Sequence, residues 1–152
     1  MLTRLFPKSI DNLYRGRWIA VWLLVPIILL RLVIGFNSMA FTHRIATSAD
    51  GISLDSFGPG ATAEVMQEFA LLGLYTFGSG VIGVVVLTRY RAMIPLFYLA
   101  LLLLQIGSKA LQLARSDGLT LAPGAYVILG MLAAAATGLV LSLWDRPARV
   151  AG

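Results

Sequence analysis

Residues 69–87 read FALLGLYTFGSGVIGVVVL and residues 92–113 read AMIPLFYLALLLLQIGSKALQL, with the basic turn TRYR between them. Each run is about as long as the ~20 residues that an α-helix needs to cross the hydrocarbon core of a bilayer. Strands of a membrane β-barrel would be about half as long and would alternate apolar with polar residues. The pair therefore predicts two membrane-spanning helices that are joined by a short turn and form an antiparallel hairpin.

Two further apolar runs extend the pattern to four, WIAVWLLVPIILLRLVIGF at residues 18–36 and AYVILGMLAAAATGLVLSLW at residues 125–144. The chain of 152 residues is 59% hydrophobic and only 12% charged, which is too little charge to cover a soluble surface. The first run is too long for the apolar part of a typical signal peptide, and no small-residue cleavage site follows it, so we expect a retained span. We predict an all-α fold: an integral membrane four-helix bundle in a single domain, 1–152, with spans at about 18–37, 64–88, 92–114 and 124–144.

The basic residues predict the orientation of these spans, because Lys and Arg concentrate in cytoplasmic loops. Eight of them flank the spans on one side and two on the other: Arg4, Lys8, Arg15, Arg17, Arg89, Arg91, Arg146 and Arg149 against Arg44 and Arg115. We therefore predict that the N-terminus, the turn at 88–91 and the C-terminus are cytoplasmic, in a multi-pass protein of the bacterial inner membrane. The net charge of +5 lies beside apolar runs, so we expect the lipid bilayer as a partner and no nucleic acid.

Residues 41–63, FTHRIATSADGISLDSFGPGATA, form the longest segment that we predict to be non-helical, and the orientation places it outside the cell. The Gly58-Pro59-Gly60 step is typical of a turn. A long loop without secondary structure is uncommon unless it is a lid or a binding loop. We expect its apolar residues, Leu54 and Phe57 among them, to fold back onto the helix ends.

Stripes of small residues predict close helix packing. The fourth span carries a small residue at every fourth position, and the second span carries Ser79 and Gly83 in the same relation, with Gly73 nearby. Such faces allow backbones to approach each other closely. Packing within the monomer and packing in a homo-oligomer both remain open. The stripe of the fourth span consists of Gly130, Ala134, Gly138 and Ser142.

Polar side chains inside the spans form the candidate functional site. Arg31, Glu68 and Lys109 are ionisable, and such groups are costly in hydrocarbon unless they are paired or hydrated. All three fall within about one to two turns of the same outer level, so antiparallel geometry allows them to meet; Glu68–Lys109 is the first ion pair that we expect. We predict a polar cavity among the outer halves of the first three spans, capped by the 41–63 loop. Polar neighbours with matching helical spacing complete the set: Gln105, Gln112, Glu64, Tyr75 and Asn37.

Three interpretations of this cluster remain open: fixing of helix register, for which buried polar residues are well known, a ligand-binding or proton-linked site, and a contact with a partner protein. Catalytic patterns are weak. His43 is the one histidine and the chain has no cysteine, so we predict no metal site, no haem ligand pair and no cofactor. Neither a G-x-S-x-G elbow nor an H-E-x-x-H motif is present, and we predict no catalytic residue.

The middle of the chain, EFALLGLYTFGSGVIGVVVLTRYRAMIPLFYLALLLLQIGSKALQLARSDG at residues 68–118, resembles DoxX-like small four-helix bacterial inner-membrane proteins. The resemblance covers about a third of the chain. Glu68 before a Gly-rich second helix, Arg89 in a short basic turn and Lys109 near the end of the third helix match the pattern of that family. The resemblance implies an accessory role beside membrane oxidoreductases or an unassigned function, and it brings no catalytic residue.

The favoured functional prediction is a non-enzymatic accessory protein or subunit of a larger membrane assembly, in contact with other membrane subunits or with further copies of itself. The alternative is a small membrane carrier or binding protein with an outer-leaflet polar cavity for an anionic or amphipathic ligand. The excess of positive charge in Arg31 and Lys109 over Glu68 motivates this alternative. An enzyme is the least favoured class.

Overall fold

The computed structural model describes residues 5–6, 11–48, 51–115 and 123–144, without the side chains of Asp55, Gln112, Arg115 and Pro123. Four long helices are long and apolar enough to cross a membrane, and the described part contains no strand. The prediction of an all-α protein with four helices suited to span a membrane is confirmed. The helices are α1 (Trp18–Ala40), the short α2 (Thr42–Ser48), α3 (Pro59–Arg89), α4 (Ile94–Arg115) and α5 (Pro123–Leu143), with 3₁₀ turns at Leu54–Ser56 and Arg91–Met93.

The four long helices pack in an order that differs from their order in the chain. α1 packs extensively against α3 and also against α5, and α4 packs against α5. α3 and α4 are joined by the turn at Tyr90 but contact each other little beyond it. The predicted hairpin is therefore antiparallel but not closely packed, because Gly73 and Gly80 of α3 face α1 instead of α4.

α1 and α3 approach so closely that only glycine fits at two positions. A methyl group at Gly35 would lie 2.7 Å from Cα of Phe77 and 2.8 Å from the carbonyl oxygen of Gly73. A methyl group at Gly73 would lie 2.8 Å from Cβ of Ser38. Small residues bring the two backbones together here, as they do between other membrane helices.

Three segments of the chain contact one another at one end of the bundle. At the turn end, where α3 and α4 are joined, the N–H of Ala92 donates to the carbonyl of Asp11 at 3.3 Å. The Arg17 guanidinium lies 5.2 Å from the ring centre of Trp144. The N-terminal segment, the basic turn and the end of α5 thus lie at the same end of the bundle. The charge pattern also predicts that these three segments share one side. Arg4, Lys8, Arg146 and Arg149, which also carry that prediction, lie outside the described residues.

The hydrophobic core is concentrated in the half of the bundle nearest the turn end. Its centre is Tyr98, which is fully buried and donates its hydroxyl to the carbonyl of Ala20 at 2.7 Å. Leu24 and Ile27 of α1 and Leu101 of α4 belong to the same cluster. The core therefore joins α1 to α4, two helices that are far apart in the sequence.

The loop end, where α1 and α3 are connected, contains more helix than we predict from the sequence. The 41–63 segment, expected to be non-helical, contains α2 and a 3₁₀ turn, and α3 already begins at Pro59. Proline is favoured at the first position of a helix, where no intrahelical N–H bond is lost, and this explains the early start. Leu54 is buried, as expected for a segment that folds back, whereas Phe57 is largely exposed.

Candidate functional site

A gap separates α3 from α4 in the half of the bundle nearest the loop end. Phe97 packs beside Gly83, so the two helices still meet near the turn. Farther along, each helix keeps its own neighbour, α1 for α3 and α5 for α4. We call the space between them the α3–α4 gap.

A polar stripe on α3 runs along this gap. Val86 belongs to the buried core, and a spacing of 3.6 residues from it leads to Ser79, Tyr75, Glu68 and Glu64. Tyr75 is 71% exposed, and both glutamates are also exposed. The face that is apolar and buried near the turn end therefore becomes polar and uncovered towards the loop end.

Arg31 is the one charged residue among the buried side chains of the described part. It is 8% exposed, and its Nη1 donates a hydrogen bond to Oγ of Ser79 at 2.6 Å. The Ser79 hydroxyl in turn donates to the carbonyl of Thr76 at 2.6 Å. Nε of Arg31 is buried without a hydrogen-bond partner in the structure. The guanidinium therefore has a neutral partner on one side and an unsatisfied donor on another.

Gln105 and Lys109 of α4 lie on the continuation of the buried face that carries Tyr98 and Leu101. Both side chains are partly buried. Oε1 of Gln105 is buried and accepts no hydrogen bond in the structure. Gln105 and Lys109 therefore continue the inward face of α4 towards the loop end.

The structure does not bring together every residue of the predicted cluster. Glu68 is exposed on α3, and no salt bridge joins it to Lys109 in the part of the chain that the structure describes. Arg31 contacts Ser79 instead. Asn37 is partly buried, and its backbone carbonyl accepts the N–H of Phe41 at 2.8 Å, which ends α1. The side chain of Gln112 lies outside the described residues. That these residues form a functional site stays a prediction.

A separate open pocket of about 480 Å³ lies at the loop end. The 41–63 segment and the beginning of α3 line it, with His43, Phe57 and Met66 among its residues. Neither Arg31 nor Lys109 borders it. Among the described residues, His and acidic side chains form no group of three that could hold a metal ion.

Two residues outside the predicted site set prove central to the polar contacts. Ser79 is the hydrogen-bond partner of Arg31, and its helical spacing from Glu68 and Tyr75 is the signal that could have identified it. Tyr98 joins α4 to α1 through Ala20, and nothing in the apolar run around it distinguishes this tyrosine from one at a membrane interface. Comparison of the chain with protein-family models, curated proteins and solved structures found no match.

Proposed function

We propose that the protein is a non-enzymatic accessory subunit of a membrane assembly, in which a helix of another subunit or of a second copy covers the α3–α4 gap. The observation that carries this proposal is the polar stripe of α3, which is uncovered along the gap. Tyr75 is 71% exposed and lies fourteen residues from the end of α3, which is about 21 Å at 1.5 Å per residue and inside the reach of the hydrocarbon core. Polar groups at such depth normally face protein or water.

Glycines on the outer surface support the same proposal. A methyl group at Gly78 of α3, at Gly107 of α4 or at Gly130 of α5 would meet nothing within 4 Å. Glycine costs helix stability and is retained in membrane helices chiefly where another backbone comes close. Among the described residues these three positions have no such neighbour, so a partner helix would use them.

Site-specific photocrosslinking tests the proposal. A benzophenone amino acid replaces Tyr75, which lines the gap, and in a matched control it replaces Phe36, another exposed aromatic, on a different face of α1 from Arg31. We expect a defined protein adduct from position 75 and none from position 36. The mass of the adduct distinguishes a second copy from another subunit. Lipid adducts alone at both positions, together with a monomeric mass in native detergent, would overturn the proposal.

The proposal includes residence in the bacterial inner membrane with the turn end in the cytoplasm. The charge bias of Arg15, Arg17, Arg89 and Arg91 supports this orientation. The chain has no cysteine, so single cysteines report the topology directly. We expect Ser53→Cys to react with an impermeant maleimide on intact spheroplasts and Asn12→Cys to react only after lysis. The reverse pattern would refute the orientation.

A second candidate function is a small membrane carrier or binding protein, and the buried Arg31 favours it. A charged group that is removed from water destabilises a protein by several kcal/mol unless an opposite charge and hydrogen bonds compensate. Ser79 supplies a hydrogen bond but no charge. An anionic ligand would supply both.

A further inference from the structure

The guanidinium of Arg31 lies deep in the membrane-spanning part of the bundle. It is thirteen residues from the start of α1 and nine from its end, which places it about 13 Å from the nearer end at 1.5 Å per residue. At this depth an arginine cannot easily extend to the interface. Its burial in the bundle therefore requires a local explanation.

No carboxylate neutralises Arg31 in the part of the chain that the structure describes. The nearest acidic residue on the facing face of α3 is Glu68, eleven residues from Ser79, or about 16 Å along the helix at 1.5 Å per residue. A salt bridge across that distance is impossible. The positive charge is thus available to a group from outside the chain.

A second unsatisfied polar atom lies at a similar level. α1 and α4 run in the same direction, and the bond from Tyr98 to the carbonyl of Ala20 sets their register. Arg31 is eleven residues beyond Ala20 on α1, and Gln105 is seven residues beyond Tyr98 on α4. The difference of four residues corresponds to about 6 Å along the bundle axis between Arg31 and Gln105. Nε of Arg31 needs an acceptor and Oε1 of Gln105 needs a donor. Buried polar groups are normally satisfied, so two such atoms at a similar depth among the described residues require an explanation.

We propose that Arg31 and Ser79 bind the head of a singly charged amphiphile, a carboxylate or phosphodiester oxyanion that carries an apolar chain. Nε and Nη2 form the edge of the guanidinium that takes an oxyanion through two parallel hydrogen bonds, while Ser79 holds Nη1. A single positive charge matches a single negative one. An oxyanion here also satisfies Nε, which has no partner in the structure.

The surroundings define the rest of the ligand. The hydrogen bond to Ser79 places the guanidinium of Arg31 beside the polar stripe of α3, and its neighbours on α1, Ile28 and Leu32, are apolar and belong to the core or pack against it. Glu64 and Glu68 line the α3–α4 gap and repel a polyanion, so free inorganic phosphate is disfavoured. An amphiphile with one charge enters from the bilayer with its chain in the apolar part. This inference gives a chemistry to the second candidate function and does not depend on a partner subunit.

The test uses the full chain in a neutral detergent with three probes: palmitate, phosphatidylglycerol and methyl palmitate. We expect one or both anionic probes to raise Tm and to be retained in native mass spectra, and methyl palmitate to do neither. Whichever anion binds identifies the source of the oxyanion. Arg31→Met should weaken binding about tenfold or more, since hydrogen bonds to a charged group are lost. The matched control is Arg44→Met, which removes an exposed arginine of α2 and should leave binding unchanged.

Equal effects of palmitate, phosphatidylglycerol and methyl palmitate on the wild-type chain would overturn the proposal without any variant. Retention of the anion by Arg31→Met, or equal losses in Arg31→Met and Arg44→Met, would also overturn it. If Arg31→Met does not fold, Arg31→Lys keeps the charge but removes the two-donor edge, and several-fold weaker binding is expected. Unchanged binding by Arg31→Lys would exclude the edge-on geometry. Ligand binding is measured on the isolated chain, so its failure is distinct from failure of the crosslink at position 75.

Discussion

The half of the bundle at the turn end and the half at the loop end are built from the same four helices but are held together differently. At the turn end, large apolar side chains surround Tyr98, and arginines stack on tryptophans at the surface. At the loop end, α1 and α3 stay in close contact through Gly35 and Gly73, while α3 and α4 separate. The buried polar atoms without partners are on α1 and α4 in this second half. The comparison indicates that the turn-end half is the tightly packed one and that the loop-end half is open to a ligand or partner.

Substitution of two glycines of α5 tests this contrast, and one of them is expected to give the largest loss of stability. A side chain at Gly138 would collide with the Tyr98 ring, which is fixed by the bond to Ala20. Gly138→Leu should therefore lower stability by about 1–3 kcal/mol or prevent folding, because a close-packed site cannot take extra volume. Thermal unfolding in detergent, followed by near-ultraviolet circular dichroism, measures the change.

Gly130→Leu is the matched control on the same helix, because a methyl group at Gly130 meets nothing within 4 Å. We expect the isolated chain to keep its stability within about 0.5 kcal/mol. Similar losses in the two variants would mean that the loop-end half is packed as tightly as the turn-end half, and the contrast between the halves would fail.

The hydroxyl of Tyr98 gives an intermediate effect. Tyr98→Phe removes the hydrogen bond to the carbonyl of Ala20 and keeps the ring, so we expect a loss of about 1 kcal/mol. Tyr126→Phe serves as the control, since Tyr126 is 66% exposed on α5. Equal unfolding temperatures for the two variants would show that the bond does not hold α4 against α1.

The lengths and composition of the apolar runs were sufficient to predict the helices, because the bilayer imposes a length and excludes unpaired backbone groups. The partners of the helices could not be predicted in the same way. Glycines occur on several faces of α3, and only the tertiary structure distinguishes Gly73, which meets α1, from Gly78, which meets nothing. The short turn at Tyr90 predicted that α3 packs against α4, the next helix in the chain. Instead, α3 packs mainly against α1.

The positions of the polar side chains could be predicted only in part, for a similar reason. Helical spacing grouped Glu64, Glu68 and Tyr75 on one face of α3, where Ser79 also lies, because that grouping depends on the geometry of one helix. Matching of depth suggested that Glu68 meets Lys109, but depth does not determine which helices are adjacent. The separation of α3 from α4 leaves Glu68 exposed, and Arg31 meets the less polar Ser79.

The smallest expected effect concerns the surface of the turn end. Arg17 lies 5.2 Å from the ring centre of Trp144, and Arg91 lies 5.6 Å from that of Trp18. Trp144→Leu keeps an apolar side chain but removes the π face, so we expect a loss of about 0.5–1 kcal/mol. Trp22→Leu is the control, because Trp22 is 73% exposed and takes part in neither stacked pair.

A double-mutant cycle with Arg17→Gln separates the stacking from the membrane anchoring that any interfacial tryptophan provides. If the stack contributes, Trp144→Leu destabilises less when Arg17 is already Gln, and the unfolding temperatures give a coupling free energy of the same size as the expected loss. A coupling of zero would mean that Trp144 acts only as an anchor. The turn end would then depend on its buried core alone, and the stacked arginines would contribute only to the charge bias that orients the protein.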